Sequence, residues 1–528
     1  MNMISNTDIQ ARLAEIVGAE SVIDDIESRI FFSTDLERSG LLTTAVVRVK
    51  STDELSRVLA VCDALDYVAI PRGGGFSYTG GYTPVTLNSI TIDLRGIAEI
   101  FEINEEDMYV RVGCGCTWHH LYEALKAKGM RTPYYGPMSG YNATVGGALS
   151  QGSFFLGSTE YGTVAESVLS LEMVLANGDV IHTGSDSAEG VGPFYRNYGP
   201  DMTGLFLADT GALGFKAVAT LKLIAWPPHQ AYGSFAFETG PRAMAALSDI
   251  GRAGLAAEAY AWDPYFVEVM SQATTGTGQD LQFLWAAIRN GAGLVDGLSA
   301  GLRIALAGKK VFKAGTHIIQ VMIDEHSAAG AAERLKRVRF LALKYGATEL
   351  APSVPRATRG APFTDFNVPE RRSTLRNLPT NSLYPHSRAP AALAAIRALF
   401  AEHQAELDRL SIAIGTVFFA VGKSAMCIEP LFYWNDPEHY LHNRIEQRSD
   451  LSGLAVHTSR PEATEFAFAL RDKLKAVMQA NGAVHVQIGK AYDYLGTREP
   501  RLAKLLKDIK ASVDPTGRVN PGSLGLKA

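Results

Sequence analysis

An apolar run, Val68 to Ile70, passes through Pro71 into RGGGFSYTGG (72–81), a loop with five glycines in ten positions. Few features constrain a fold more. Glycine tolerates positive φ and close backbone approach, so successive N–H groups in such a loop can converge on an anion. A pyrophosphate held this way needs no charged side chain. The loop is not a Walker loop, since no GK[ST] follows, and it is not a GxGxxG that opens a helix. Upstream, TAVVRVK (44–50) reads as a strand, and Ser51 and Glu54 carry the capping-box spacing that starts a helix. The chain thus begins β-α-β, with the loop at the end of the second strand.

Further strands are expected at TLNSITIDL (86–94), IFEINEEDMYVRVG (100–113), LSLEMVLANGDVI (169–181) and ATLKLIAWP (219–227). The third carries a hairpin signal at Asn177-Gly178, and a helix is expected at WHHLYEALKAKG (118–129). Pro227 and Pro228 mark a boundary. Beyond it, Ala-rich helical stretches such as AAERLKRVRFLALKYG (331–346) alternate with strands such as THIIQVMI (316–323) and IAIGTVFFAVG (412–422). That mixture predicts an α+β unit with an antiparallel sheet and helices on one side. The expected division is 1–228, 229–460 and 461–528, the last part opening on an amphipathic helix at 461–482. The charge-rich PEHYLHNRIEQRSD (437–450) reads as a solvated loop and helix.

Length and composition narrow the function. At 528 residues the chain can bury a large core, and 47% hydrophobic with 20% charged residues is the balance of a soluble globular protein. A net charge of −5, with no Lys/Arg cluster, excludes nucleic acid as the main partner. The N-terminal sequence lacks the pattern of a secretory signal, and no run of about 18 apolar residues occurs, so a cytoplasmic protein without a membrane span is expected. Four cysteines make no disulfide scaffold. Cys114 and Cys116 stand too close for a zinc knuckle, so no metal site is expected.

Three distant segments give the glycine loop its meaning. They are GPMSGYNATVGGALSQGS (136–153) with EYGTVAESVLSLEMVLANGDVI (160–181), DMTGLFLADTGALGFKAVATLKL (201–223), and DPTGRVNPGSLGL (514–526). In this order they resemble the flavoproteins of the vanillyl-alcohol oxidase and p-cresol methylhydroxylase (PCMH) family, which also includes D-lactate and glycolate dehydrogenases. The resemblance implies an α+β fold, with a two-subdomain PCMH-type FAD-binding domain beside an antiparallel-sheet-and-helix substrate (cap) domain. It implies FAD as cofactor. By match, Arg72, Gly73, Gly74, Gly75, Phe76, Ser77 and Tyr78 would hold the pyrophosphate. Pro137, Thr144, Gly146, Gly147 and Thr163 would lie along the flavin, Phe215 near the adenosine, and Asn520 would return from the chain end. A homo-oligomer, and oxygen or a redox carrier as electron acceptor, are the expected partners beyond a small-molecule substrate.

The segments RNLPTNSLYPHSRAP (376–390) and EPLFYWNDPEHY (429–440) are more similar to the aromatic-alcohol branch than to the hydroxy-acid branch. Oxidation of an alcohol or benzylic carbon of a small, phenolic, lignin-like substrate is therefore expected. A D-2-hydroxy-acid dehydrogenase is the alternative, and a flavin-binding protein without catalysis a third reading. Several positions depart from the pattern. Phe76 and Asn142 stand where sister enzymes tether FAD through His and Cys. Thr163 stands where the phenol oxidases carry an Asp. Val484 and His485 replace a Tyr-Arg pair, and HVQIGKAYDYL (485–495) lacks the Glu-His-Gly of the hydroxy-acid enzymes. Leu383 matches a flavin-tethering His, so non-covalent FAD is expected, with the neighbouring Tyr384 and His386 as alternatives for a covalent link. Alternation of polar and apolar residues over 485–488 suggests a strand, with His485 as base or substrate ligand. The competing reading is a histidine hydrogen-bonded inside that strand. Tyr78, Tyr433, Gln487, Lys490 and Tyr492 complete the expected substrate contacts.

Overall fold

The computed structural model describes residues 6–273, 313–363, 375–436 and 460–527. The segment 437–450, read above as a solvated loop and helix, lies outside them.

The β-α-β opening forms as expected. Strands Ala45–Arg48, Ser89–Asp93 and Val68–Arg72 run parallel in that spatial order, with the short strand Val22–Ile23 antiparallel at one edge. The helix Thr52–Ala64 connects two of them. Ser51 Oγ accepts from the N–H of Glu54 at 3.1 Å, and Glu54 Oε2 accepts from the N–H of Lys50 at 2.7 Å, which ties down the first turn from both sides. A second, antiparallel sheet has the order Ile100–Asn104, Tyr109–Gly113, Phe215–Lys222, Val168–Val174 and Val180–His182. An apolar core of Val47, Leu59, Ile90, Val174, Phe215 and Val519 joins the two sheets.

The cap sheet is wholly antiparallel and takes its strands from residues 229–435. Its central strands are His317–Glu325, Glu258–Trp262, Ala413–Val421 and Ala425–Asn435. One face is covered by the helices Gly240–Arg252, Ala328–Lys344, Ala389–Glu402 and Pro461–Ala480, which bury Phe418, Ile428, Phe432 and Trp434. Because strand side chains alternate, Cys427, Glu429, Leu431 and Tyr433 share the opposite face. That face meets the first half of the chain: Cys427 and Val421 pack with Phe154, and Phe419 lies edge-on to Phe154 and Phe155 at 5.4 and 5.6 Å.

Buried charge locks the two halves together. Arg131 of the first half pairs with Asp324 at 2.8 Å. Arg359 pairs with Asp324 and Glu258 at 2.7 and 3.0 Å, and both Glu258 and Arg359 bond Tyr135. The helix Pro461–Ala480 belongs to the cap's helical layer, so the return to the first half is made after it, by residues 484–526.

Candidate active site

The strand Val68–Arg72 carries the glycine loop to the edge of the parallel sheet. Arg72 is buried: its Nη1 donates to the Phe31 carbonyl at 3.0 Å, and its guanidinium lies 4.5–5.1 Å from the ring centres of Phe31, Phe32 and Tyr82. The side chain anchors the root of the loop and the backbone does the reaching. Tyr82 Oη donates to the Gly75 carbonyl at 2.6 Å, and Gly75 has φ +78°. At Gly73 a Cβ would strike Thr144 Oγ1, and at Gly74 the carbonyl oxygen of Asn142, so only glycine lets the loop press against 142–144.

Among the described residues, the N–H groups of Gly73, Gly74 and Gly75 donate to no protein acceptor. Three such donors in a row are what a pyrophosphate requires. Nearby, Ala208 and Thr210 are both left-handed, at φ 53° and 56°, and Thr210 Oγ1 is buried without a partner. A β-branched residue in that conformation is a true outlier, and such strain gathers at ligand sites. The residues present fit FAD.

Thr144 caps the helix Val145–Gln151 through Gly147 N–H at 3.2 Å, while Val145 and Gly146 donate to the carbonyls of Cys116 and Cys114. Pro137 closes a turn onto Gly140, and Thr163 follows Gly162, left-handed at φ +82°. Phe215 is the residue expected near the adenosine. Its side chain is fully buried in the core between the two sheets, because strand alternation points it inward with Ala217.

The chain end latches this arrangement. Asn520, buried and left-handed at φ 41°, donates from Nδ2 to the carbonyls of Gly81 and Thr210 at 2.8 and 2.9 Å. Its Oδ1 accepts from Lys490 Nζ at 3.0 Å, and the same amine donates to the Thr83 carbonyl at 2.6 Å. Burial draws the Lys490 ammonium down to about 7.

Residues 485–490 do not form the expected strand. Only Val484 makes a bridge, to Leu383, and Gln487 and Gly489 then turn left-handed at φ 52° and 56°. Gly489 cannot carry a Cβ because Thr79 fills that space, so contact with the glycine loop overrides the alternation. Gln487 instead gives its backbone N–H to the Gln151 carbonyl at 2.8 Å.

His485 is held firmly. Its ring stacks on Tyr492 and its Nδ1 lies 2.7 Å from the Asn381 carbonyl. A carbonyl only accepts, so Nδ1 carries the proton and the neutral ring presents Nε2 as a lone pair. Nε2 has no partner among the described residues. Burial, reinforced by the charges of Lys475 and Arg471, pushes the imidazole below its ordinary value and keeps it neutral. Asn381 also takes the N–H of Val486 on Oδ1 and gives its own N–H to Tyr492 Oη. Arg471 pairs with Glu37 at 2.6 Å and touches the Tyr78 carbonyl at 3.4 Å, joining the cap's last helix to the glycine loop.

On the cap, Leu383 faces the first half beside Phe154 and Val486. Tyr384 points the other way into the helical core, and His386 bonds Ser248 and the Lys423 carbonyl, so neither is turned toward the loop. Tyr433 packs against Tyr265 and Phe266 at 5.7 and 5.9 Å. Glu429, given no role from sequence, lies on the inward face two residues from Cys427. An ionisable group at an alternating position in AMCIEPLFYW was the available signal.

Residues 43–184 match the FAD binding domain family. Across the whole chain, the fold superposes on p-cresol methylhydroxylase with substrate bound, with a TM-score of 0.72 at 16% identity, covering 99% of this chain and 97% of that one. This chain carries an FAD binding domain and has the fold of p-cresol methylhydroxylase. Its curated relatives include glycolate oxidase subunit GlcD of Bacillus subtilis, 31% identical over 244 residues, which are 46% of this chain and 50% of the relative. D-lactate dehydrogenase [cytochrome] 1 of Saccharomyces cerevisiae is 24% identical over 233 residues, 44% of this chain and 38% of the relative. The chain spans half or less of the length of these curated relatives. Among the described residues no helix is long and apolar enough to cross a membrane, and no group of three or more His, Cys, Asp or Glu is placed to hold a metal ion.

Proposed function

We propose that this chain is an FAD-dependent oxidoreductase acting on a CH–OH or benzylic carbon of a small aromatic, phenolic or lignin-like, substrate. His485 carries the reading: an imidazole whose Nδ1 is committed to Asn381 and whose Nε2 is unpartnered, set between the glycine loop and the cap sheet. FAD, when bound, supplies the hydride acceptor. As the substrate carbon loses hydride, Nε2 takes the hydroxyl proton and the carbonyl product forms. In this reading Tyr78, Gln487 and Tyr492 orient the substrate, and the inward cap face excludes water. The electrons leave to oxygen or to a redox carrier. Tyr384 and His386 being turned away supports FAD held non-covalently, which acid precipitation tests: the pellet should be colourless.

The glycolate and D-lactate enzymes among the relatives favour a second reading, a D-2-hydroxy-acid dehydrogenase. The chemistry of the cleft weighs against it. A carboxylate substrate wants a free cation, yet Arg376, Arg471, Lys475 and Lys490 are each bonded to a protein carbonyl or carboxylate. Anaerobic bleaching of the flavin against phenolic alcohols and 2-hydroxy acids separates the two, and readmitting air then tests oxygen as acceptor. Bleaching by D-lactate alone would overturn the first reading.

A further inference from the structure

Glu429 is an ionisable group of the described residues to which the reading above gives no role. It sits in the strand Ala425–Asn435 opposite Val417, on the face turned toward the FAD-binding half. The neighbouring strand is interrupted at this level. Pro379 pairs with Leu431 and Ser382 with Ile428, so Thr380 and Asn381 cross beside Glu429 and Pro430, with Thr380 N–H bonded to the Pro430 carbonyl. Asn381 is the residue that fixes both His485 and Tyr492. The carboxyl therefore opens onto the same space as the imidazole, from the cap side.

Its side chain keeps partial exposure although it lies deep in the protein, as expected of a group lining an internal cleft. Among the described residues it makes no hydrogen bond and no ion pair. A buried carboxyl without a partner is costly, and chains retain one where a ligand completes it. Among the described residues, the titratable groups facing it are Cys427 on its own strand and Tyr492 and His485 across the cleft, while Arg471, beside Tyr492, is committed to Glu37. None supplies a positive charge for it.

We propose that Glu429 is a substrate-contacting residue that hydrogen-bonds an uncharged or cationic polar group of the substrate and selects against carboxylates. This rests on reading the cleft as the oxidoreductase's substrate site. It narrows the substrate class to alcohols, phenols and amines. Burial alone raises the carboxyl to about 7, so the preference for a cation over an anion should strengthen as pH rises through neutrality.

The test uses the flavin-loaded full chain and three non-identical probes: 4-hydroxybenzyl alcohol, benzylamine and benzoate, each titrated anaerobically by flavin difference spectra. Wild type should bind benzylamine at least ~10-fold more tightly than benzoate at about pH 8, with a smaller ratio at about pH 6. In Glu429→Gln the flavin spectrum should persist while the ratio falls toward one and loses its pH dependence, and Glu429→Asp should restore part of it. Equal ratios in wild type and Glu429→Gln across that range would overturn the proposal. Should the variant lose its flavin, wild type alone decides, since a ratio flat with pH also overturns it. These are binding measurements, so a failed substrate panel would count against the oxidoreductase reading and leave the assignment of Glu429 standing.

Discussion

His485 stacks on Tyr492 with ring centroids 4.2 Å apart and planes within 20° of parallel, while Nδ1 is fixed on the Asn381 carbonyl. Stacking sets the plane of the imidazole and the hydrogen bond sets its tautomer, so Nε2 is aimed before substrate arrives.

Removing this group should slow flavin reduction by the turned-over substrate about 10²-fold or more, the usual scale for a lost general base. Since the imidazole lies below its ordinary value, the wild-type rate should already be on its plateau at neutral pH and fall only in acid, as Nε2 becomes protonated. His485→Gln should retain flavin and lose that acid limb. Stopped-flow reduction across pH checks both, and an unchanged rate removes His485 from the chemistry.

Asn520 draws together three segments that are far apart in sequence. In Asn520→Ala, the buried carbonyls of Gly81 and Thr210 and the Lys490 amine each lose a partner. A loss of ~2–4 kcal/mol is expected from unsatisfied buried groups, together with weaker flavin retention. Thermal denaturation and the ratio of flavin to protein absorbance measure the two effects.

Much of this was legible beforehand because local chemistry and tertiary structure agreed. The Ser51–Glu54 cap, the Asn177-Gly178 turn and the glycine loop each form where residue type requires. Sequence alternation failed at 485–490, because Gly489 must pass Thr79 of the loop and Gln487 turns left-handed to allow it, a demand that comes from residues four hundred positions away. The side chain of Phe215 fills the core between the sheets, a place open to any conspicuous aromatic beside a glycine motif. Glu429 and Asn381 were both inside quoted segments. Their roles depend on a strand break opposite residue 430, which no local pattern records.

The glycines at the root of the loop should be intolerant of the smallest change. Gly74→Ala places a methyl against the Asn142 carbonyl, a backbone atom that cannot rotate aside. Overpacking of this kind costs ~1–3 kcal/mol and here displaces the very N–H groups that fit the pyrophosphate. Gly74→Ala should therefore lose flavin more readily than it loses fold, a difference seen by comparing flavin content with far-ultraviolet circular dichroism.

Between the two halves, Arg359 neutralises Glu258 and Asp324 together. Replacing it with Met fills the space but leaves two buried carboxylates to Arg131 alone, and breaking such a network costs ~3–5 kcal/mol. Thermal unfolding of Arg359→Met should shift well below wild type. Limited proteolysis should then separate the cap from the FAD-binding half more readily than in wild type.

The carboxyl of Glu429, without a partner among the described residues, makes stability itself depend on pH. Its folded value of about 7 lies above the ordinary 4.5, so the native state holds the proton more tightly than the unfolded chain. Unfolding then releases a proton between those values, and stability falls as pH rises through that window, by at most ~3 kcal/mol. Asp35, raised to about 7 by burial and by Glu37, adds to the wild-type slope in the same window, so the informative quantity is the difference between proteins. Glu429→Gln should match wild type near pH 5, where both side chains are neutral, and be the more stable protein near pH 8, where only wild type holds a buried charge without a partner. Melting temperatures at the two pH values, with FAD saturating, give the comparison. A variant less stable than wild type by the same amount at both would mean that Glu429 has a partner in solution and is part of the cap's structure.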